Sequence, residues 1–161
     1  MSSPVASPKP RSLLFICTGN TCRSPLAELY ARKFLAEAGR EVEVASAGLY
    51  AQEGAPMSVN STLVAAQEGL DYSGFSSTLV SRQQLEQADL ILTMTKAHVE
   101  LLQQRFPDLP WQGKLHPLKE YVGLAAPGSG DISDPYGGTV AQYWAAAWEI
   151  KEAVRALIKE N

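Results

Sequence analysis

The stretch LLFICTGNTCRSPL, residues 13–26, contains an apolar run, a polar loop and a helix start in direct succession. Leu13 to Ile16 have the length and apolar character of a short strand that is covered on both faces of a sheet. Ser24 followed by Pro25 is typical of a helix N-terminus, with serine as the cap and proline as the first helical residue. Backbone N–H groups and the positive end of the helix dipole meet in such a loop, so the stretch predicts an anion-binding site.

The rest of the chain continues the alternation of strand and helix. The first helix is expected to end at Gly39, which stands where a left-handed cap residue is common. The alternation predicts an α/β fold, a single three-layer domain whose central parallel sheet of about four strands has helices on both faces. Further strands are predicted over residues 41–47 and 89–94, helices over 59–68 and 98–105, and a final helix with Tyr143, Ala147, Ile150, Val154 and Leu157 on one face.

Two segments of the chain differ from this regular pattern. Residues 1–12 offer little apolar surface to bury, so we expect a disordered N-terminal arm followed by one domain over residues 13–161. Residues 123–139 are rich in glycine, proline, serine and aspartate and predict a long surface loop. A loop of that length in a compact domain is usually functional.

The composition of the chain indicates which classes of binding partner are unsuited to the protein. A formal net charge of −3 and a pI near 5.4, without a basic cluster, argue against a nucleic-acid partner. No apolar run approaches the roughly 20 residues of a membrane span or has the length of a signal peptide, so we expect no membrane association and a cytoplasmic location.

Cytoplasmic thiols are normally reduced, which favours a catalytic, redox or metal-binding role for Cys17 and Cys22 over a structural one. His98 and His116 lie outside every motif and are predicted to be ordinary helix or surface residues, which leaves too few ligands for zinc.

The chemistry of the first loop depends on a cysteine and an arginine. The loop lacks the G-x-x-x-x-G-K-[ST] pattern, so a nucleoside triphosphate is not predicted. Cys17 begins the loop, and donors that bind an anion also stabilise a thiolate, so Cys17 is expected to act as a nucleophile toward the bound anion. Arg23 can bind two oxygens of a phosphoryl group with its planar guanidinium.

Four motifs resemble those of the low-molecular-weight protein tyrosine phosphatase family. FICTGNTCRSPLAE at residues 15–28 is similar to the signature loop of that family. S-A-G at 46–48, D-L-I-L-T-M-T at 89–95 and D-P-Y at 134–136 follow in the order that the family has. The resemblance spans most of residues 13–161. It implies an enzyme that hydrolyses phosphorylated protein side chains without a metal or another cofactor.

The resemblance also implies roles for individual residues. Cys17 would attack phosphorus and carry a phosphocysteine, while Asp134 would protonate the leaving group and then take a proton from the attacking water. Ser24 would donate a hydrogen bond to the sulfur, and Asn20 would hold the loop in shape with Ser46 as its partner. Phosphate or another oxyanion would be held by Thr18, Gly19, Asn20, Thr21, Cys22 and Arg23.

The substrate class is indicated by the position between Asn20 and Cys22. Family members that act on phosphotyrosine usually have an apolar branched residue there, whereas Thr21 resembles the bacterial protein-arginine phosphatase branch. The stretch at 118–122 and the string D-P-Y-G-G resemble the same branch. Tyr136 departs from it, because that branch tends to have phenylalanine there. Thr21 and Tyr136 are therefore the expected selectivity residues, with phosphoarginine as the favoured substrate and phosphotyrosine as the alternative.

Further alternatives concern the second cysteine and other reactions of the same loop. Cys22 is either a packed thiol or a redox partner that forms a reversible disulfide with Cys17. An arsenate reductase would need further cysteines downstream, and the chain has none after Cys22. A non-catalytic phosphate-binding or redox-sensing module predicts loss of the acid or the arginine, whereas Asp134 and Arg23 are both present.

Overall fold

The structure, a computed structural model, describes residues 9–160. The elements in chain order are β1 (Ser12–Cys17), α1 (Arg23–Glu37), β2 (Glu43–Gly48), α2 (Val59–Gln67), α3 (Arg82–Gln87), β3 (Leu90–Thr93), α4 (Lys96–Arg105), β4 (Leu115–Pro117), α5 (Leu118–Tyr121) and α6 (Val140–Glu160). The arm predicted over residues 1–12 lies mostly outside the described residues, and its last residue, Ser12, is the first of β1. No element interrupts the chain between Tyr121 and Val140, as predicted for the long loop.

The strands form one parallel sheet in the order β2-β1-β3-β4, which confirms the predicted fold class. Side chains alternate across the central strand β1. Leu13 and Phe15 enter the core cluster that contains α1, α2, α5 and α6 residues, while Leu14 and Ile16 enter the cluster that contains α3 and α4 residues. Helices therefore cover both faces, and this double burial explains the continuous apolar run of β1.

The start of α1 differs from the sequence prediction. The helix begins at Arg23, and Cys22 occupies the N-cap position without a side-chain cap. Ser24 as the cap was therefore wrong, because its hydroxyl bonds Cys17 and Asn20 instead of the helix backbone. Pro25 still lies in the first turn, where its missing N–H costs no helical hydrogen bond. The end of the helix was predicted correctly, since Gly39 has φ +67°.

The sequence predictions for the other helices were partly correct. The α4 helix begins at Lys96 rather than His98, because Thr95 and His98 form a capping box. The helix α3 was not predicted, although Ser81 and Gln84 form the same kind of capping box. The predicted apolar face of α6 is buried throughout. Among residues 9–160, no helix is both long and apolar enough to cross a membrane.

Candidate active site

The loop between β1 and α1 lies at the carboxyl end of the central strand. Its backbone is tied to the segment that follows β2, where Leu49 N–H donates to Cys17 O at 3.0 Å and Tyr50 N–H donates to Thr18 O at 2.9 Å. Gly48 allows this close approach, because a Cβ there would lie 2.6 Å from Thr18 O. The glycine of the S-A-G motif is thus needed for the loop and the second strand to pack together.

Asn20 is the residue that determines the shape of the loop. It is fully buried and has φ +54°, a left-handed conformation that asparagine tolerates better than most residues. Its backbone oxygen accepts from Ser77 Oγ at 2.7 Å, and its Oδ1 accepts from Thr78 N–H at 2.9 Å. Because a backbone N–H only donates, Oδ1 must face Thr78. Nδ2 therefore donates to Ser24 Oγ at 2.8 Å and Ser46 Oγ at 2.9 Å.

The direction of the remaining hydrogen bonds follows from this orientation. Ser46, which accepts from Asn20, donates its own proton to Glu28 Oε1 at 2.6 Å. Ser24 also accepts from Asn20, so its proton is available for Cys17 Sγ at 2.9 Å. The sulfur receives a second hydrogen bond from Asn20 N–H at 3.3 Å. The Cys17 sulfur thus has two hydrogen-bond donors around it, which suits its predicted role as a nucleophile.

Arg23 is held at the other side of the loop with its side chain almost fully buried. Its Nη1 donates to Ile132 O at 2.8 Å, and its Nη2 donates to Thr18 Oγ1 at 3.4 Å. Nη2 also lies 3.6 Å from Asp134 Oδ2. Nε is buried and has no hydrogen-bond partner within the described part of the chain. A buried donor without a partner is costly, which indicates that an anion is its natural partner.

A cavity of about 400 Å³ opens over the loop. Asp134 reaches it from the long loop with its side chain about half exposed. Tyr50 and Tyr136 stand at the cavity largely exposed, and Arg105 stacks on the Tyr50 ring at 4.9 Å. The structure thus brings the predicted nucleophile, arginine and acid together with both tyrosines. The lining residues are Cys17, Thr18, Gly19, Thr21, Cys22, Arg23, Tyr50, Gln52, Ala55, Asp134 and Tyr136.

Comparisons with known proteins agree with this geometry. The model of the low molecular weight phosphotyrosine protein phosphatase family matches residues 12–161. The chain belongs to this family. A protein-arginine-phosphatase of Bacillus subtilis is 33% identical over 148 residues, which cover 92% of this chain and 95% of the relative. The low molecular weight protein-tyrosine-phosphatase PtpB of Staphylococcus haemolyticus is 38% identical over 134 residues, which cover 81% of this chain and 86% of the relative.

The fold of the phosphatase also matches solved structures. The arginine phosphatase YwlE, in a mutant with a phosphorylated active site serine, superimposes with a TM-score of 0.85 at 31% identity. The match covers 92% of this chain and 94% of that one. With the family and its named relatives, the likeness identifies the chain as a cysteine-dependent protein phosphatase that acts on phosphorylated proteins.

The second cysteine of the phosphatase lies in a polar setting at the N-cap of α1. Cys22 Sγ is 3.4 Å from both Ser58 Oγ and Tyr143 OH. Burial and then the contact with Cys22 raise the pKa of Tyr143. Cys17 and Cys22 are both free thiols and both buried. No group of three or more histidine, cysteine, aspartate or glutamate side chains suited to a metal occurs among residues 9–160.

His98 contradicts the prediction that it is an ordinary helix or surface residue. Its side chain is buried, Nε2 lies 3.0 Å from Thr18 Oγ1, and Nδ1 accepts from Thr95 N–H at 3.2 Å. Burial, followed by the positive charge of Arg23, lowers the pKa of His98 to about 4, although the carboxylates of Asp131 and Asp134 oppose this shift. The T-x-x-H spacing at 95–98 was the available signal, because a capping box places that histidine at a helix start. By contrast, the other histidine lies outside the site on β4.

The lowered pKa makes the stability of the phosphatase depend on pH. Folded His98 stays neutral down to about pH 4, whereas in the unfolded chain it takes up a proton below its ordinary value of 6.5. The unfolded state binds more protons in that window, so this contribution is present above pH 6.5 and lost as the pH falls toward 4. We expect His98→Asn, which cannot titrate, to reduce the loss of unfolding free energy over this window by up to about 3 kcal/mol.

The measurement is urea unfolding at a series of pH values for the wild type, His98→Asn and His116→Asn. The His116 variant removes the other histidine of the chain, which lies outside the site, and serves as the matched control. An unchanged pH dependence in His98→Asn would show that His98 is not the group that titrates.

Proposed function

We propose that the phosphatase acts through a phosphocysteine on Cys17. The observation that carries this proposal is the directed hydrogen-bond chain that ends on the Cys17 sulfur inside the cavity. In the first step the sulfur forms a bond to phosphorus while the bond from phosphorus to the leaving oxygen or nitrogen breaks. Asp134 gives its proton to the leaving atom, and the hydroxyl of Ser24 donates to the sulfur before attack.

The second step releases inorganic phosphate. A water molecule attacks phosphorus, the phosphorus–sulfur bond breaks, and the electron pair returns to Cys17 as a thiolate. Asp134, now a carboxylate, takes the proton from that water. Ser24 donates to the departing sulfur, so the same hydroxyl stabilises the thiolate at the start and the end of the cycle.

We assign the binding of the phosphoryl group to Arg23 and the loop. Arg23 lines the cavity, and its unpartnered Nε is a donor available to a phosphoryl oxygen. The N–H groups of residues 18–22 and the N-terminus of α1 add donors around the same point. The YwlE mutant with a phosphorylated active site serine supports a covalent step in this fold.

We propose phosphoarginine as the main substrate. Thr21 lines the cavity with a hydroxyl and a single methyl group, which gives a smaller and more polar wall than a branched apolar side chain. Gly137 follows Tyr136 with φ +75°, a conformation that disfavours the second aromatic residue often found there in tyrosine-directed members. The similarity to protein-arginine-phosphatases of Bacillus subtilis and Geobacillus stearothermophilus supports the same substrate.

Phosphotyrosine is the second candidate substrate. Tyr136 stands at the cavity with three quarters of its surface exposed, where its ring can pack against another aromatic ring. The similarity to the protein-tyrosine-phosphatase PtpB favours this candidate as well.

We also propose that the enzyme works in the cytoplasm and binds no nucleic acid. Catalysis needs a reduced Cys17, which the cytoplasm maintains, and a net charge of −3 does not suit a phosphate backbone. Recovery of the native protein from the periplasmic or extracellular fraction of cells would contradict the first statement, and a salt-dependent shift of DNA or RNA in a gel would contradict the second.

Replacing the nucleophile should separate binding from turnover. We expect Cys17→Ser to abolish turnover of an aryl phosphate while it still binds phosphate or vanadate, because a hydroxyl lacks the reactivity of a thiolate and the loop donors remain. Steady-state kinetics and calorimetric titration measure the two properties, and Cys22→Ser serves as the matched variant with measurable turnover. Wild-type turnover in Cys17→Ser would remove Cys17 from the reaction.

Replacing the acid should make turnover depend on the leaving group. We expect Asp134→Asn to lose the most activity with poorly acidic phenols and the least with activated phenols, because protonation matters in proportion to the charge left on the departing oxygen. The kcat/KM of the wild type and the variant would be compared over a series of aryl phosphates. A uniform loss would mean that Asp134 only shapes its loop.

Thr21 should determine the preference between phosphoarginine and phosphotyrosine. We expect Thr21→Ile to lower kcat/KM for a phosphoarginine peptide relative to a phosphotyrosine peptide by about ten- to two-hundredfold. Thr21→Val removes the hydroxyl at nearly constant volume, so the pair of variants separates polarity from bulk. If the wild-type enzyme hydrolyses both peptides equally well and Thr21→Ile leaves their ratio unchanged, Thr21 does not select the substrate and phosphoarginine is not the main one.

We propose that Cys22 is the redox partner of Cys17, because the two thiols are in one short loop. Peroxide would oxidise Cys17 to a sulfenic acid, and Cys22 would displace water to form a disulfide. We expect reversible inactivation with a loss of two hydrogens by mass spectrometry, and inactivation that is harder to reverse in Cys22→Ser. A sulfinic or sulfonic acid on Cys17 as the main wild-type product would contradict this role.

A further inference from the structure

His98 is a buried titratable residue that the proposed mechanism does not use. It belongs to the first turn of α4, on the sheet face opposite α1, yet its ring lies against the loop. The contact joins residues that are 80 positions apart in the chain. A second contact of the ring, with the Thr95 backbone, determines where the ring proton lies and therefore the direction of this hydrogen bond.

The tautomer of His98 follows from its contact with the backbone. Thr95 N–H donates to Nδ1 at 3.2 Å, and a donor needs a bare ring nitrogen as its acceptor. The neutral ring therefore carries its proton on Nε2, which donates to Thr18 Oγ1 at 3.0 Å. The low pKa of His98, caused by burial and by Arg23, keeps the ring in this neutral form.

The hydroxyl of Thr18 links the His98 ring to the Arg23 guanidinium. The hydroxyl oxygen of Thr18 accepts from His98 and also from Arg23 Nη2 at 3.4 Å, so two donors share its lone pairs. Apart from Asp134 of the long loop, the guanidinium contacts this hydroxyl and the carbonyl of Ile132. If the Thr18 rotamer were not fixed, Nη2 of the guanidinium would lose a positioned hydrogen-bond acceptor.

We propose that His98 is a positioning residue that fixes the Thr18 hydroxyl, and through it the Arg23 guanidinium, for binding of the phosphoryl group. The inference rests on the proposed role of Arg23 in holding phosphoryl oxygens. His98 is not one of the residues that line the cavity, so it acts through Thr18. Its effect is on the orientation of the donors, so its loss should weaken oxyanion binding and transition-state stabilisation together.

Two substitutions separate the two contacts of the ring. His98→Asn places an amide oxygen near the position of Nδ1, so it keeps the acceptor for Thr95 N–H and loses the contact with Thr18. His98→Gln carries its amide to the distance of Nε2, so it can donate to Thr18. We expect His98→Asn to lower kcat/KM for an aryl phosphate about tenfold and to raise the inhibition constant of inorganic phosphate by a similar factor. His98→Gln should recover most of both, and His116→Asn should match the wild type.

A double-variant cycle tests the route through Thr18. In the Thr18→Val background, His98→Asn should cause less than a twofold further loss of kcat/KM, because the hydroxyl that His98 orients is gone. Multiplicative losses would overturn the proposal, and so would wild-type values of kcat/KM and phosphate inhibition in folded His98→Asn. Circular dichroism of each variant under assay conditions ensures that only folded protein is compared. If Cys17→Ser kept its turnover, the proposed function itself would fail, whereas these outcomes concern His98 alone.

Discussion

The hydrogen bond from Thr78 N–H to Asn20 Oδ1 is the interaction on which the rest of the site depends. It decides which end of the Asn20 amide faces the two serines, and this orientation leaves the Ser24 proton for the Cys17 sulfur. The same residue holds a left-handed backbone conformation that turns the loop back on itself. A reversed amide would offer an acceptor to Ser24 and withdraw its proton from the sulfur.

The sheet order explains why the site can be assembled at this place. The central strand β1 has β2 on one side and β3 on the other. The connection after β1 leads to β2 and the connection after β3 leads to β4, in opposite directions, which opens a crevice at the carboxyl ends of β1 and β3. The end of β2 supplies Gly48, the segment after it supplies Tyr50, and the helix after β3 supplies His98. The long loop completes the site with Asp134, whose exposed position at 3.6 Å from Arg23 suits a residue that must reach a leaving group.

The sequence predicted the parts of the structure that depend on local pattern. The strand from Leu13 to Ile16 could be predicted because a strand buried on both faces is apolar throughout. The loop after it could be predicted because its motif is continuous in sequence. The cap role of Ser24 was wrong because local helix rules do not consider contacts outside the helix. The Ser24 hydroxyl accepts from Asn20 and bonds the Cys17 sulfur, which is the contact that the family resemblance implied. His98 was missed because its partner Thr18 is far away in the chain. The strand β4 has only three residues, too few for a periodic signal.

Every step of the proposed mechanism requires that the phosphoryl group passes through Cys17. Rapid quenching of the wild-type enzyme within one turnover of an aryl phosphate, followed by peptide mass spectrometry, identifies the modified residue. We expect one added phosphoryl group on Cys17, with its rise and decay matching the rate of product release. Phosphate release without any phosphorylated Cys17 at any time, or a phosphoryl group on another residue that turns over at the catalytic rate, would contradict it.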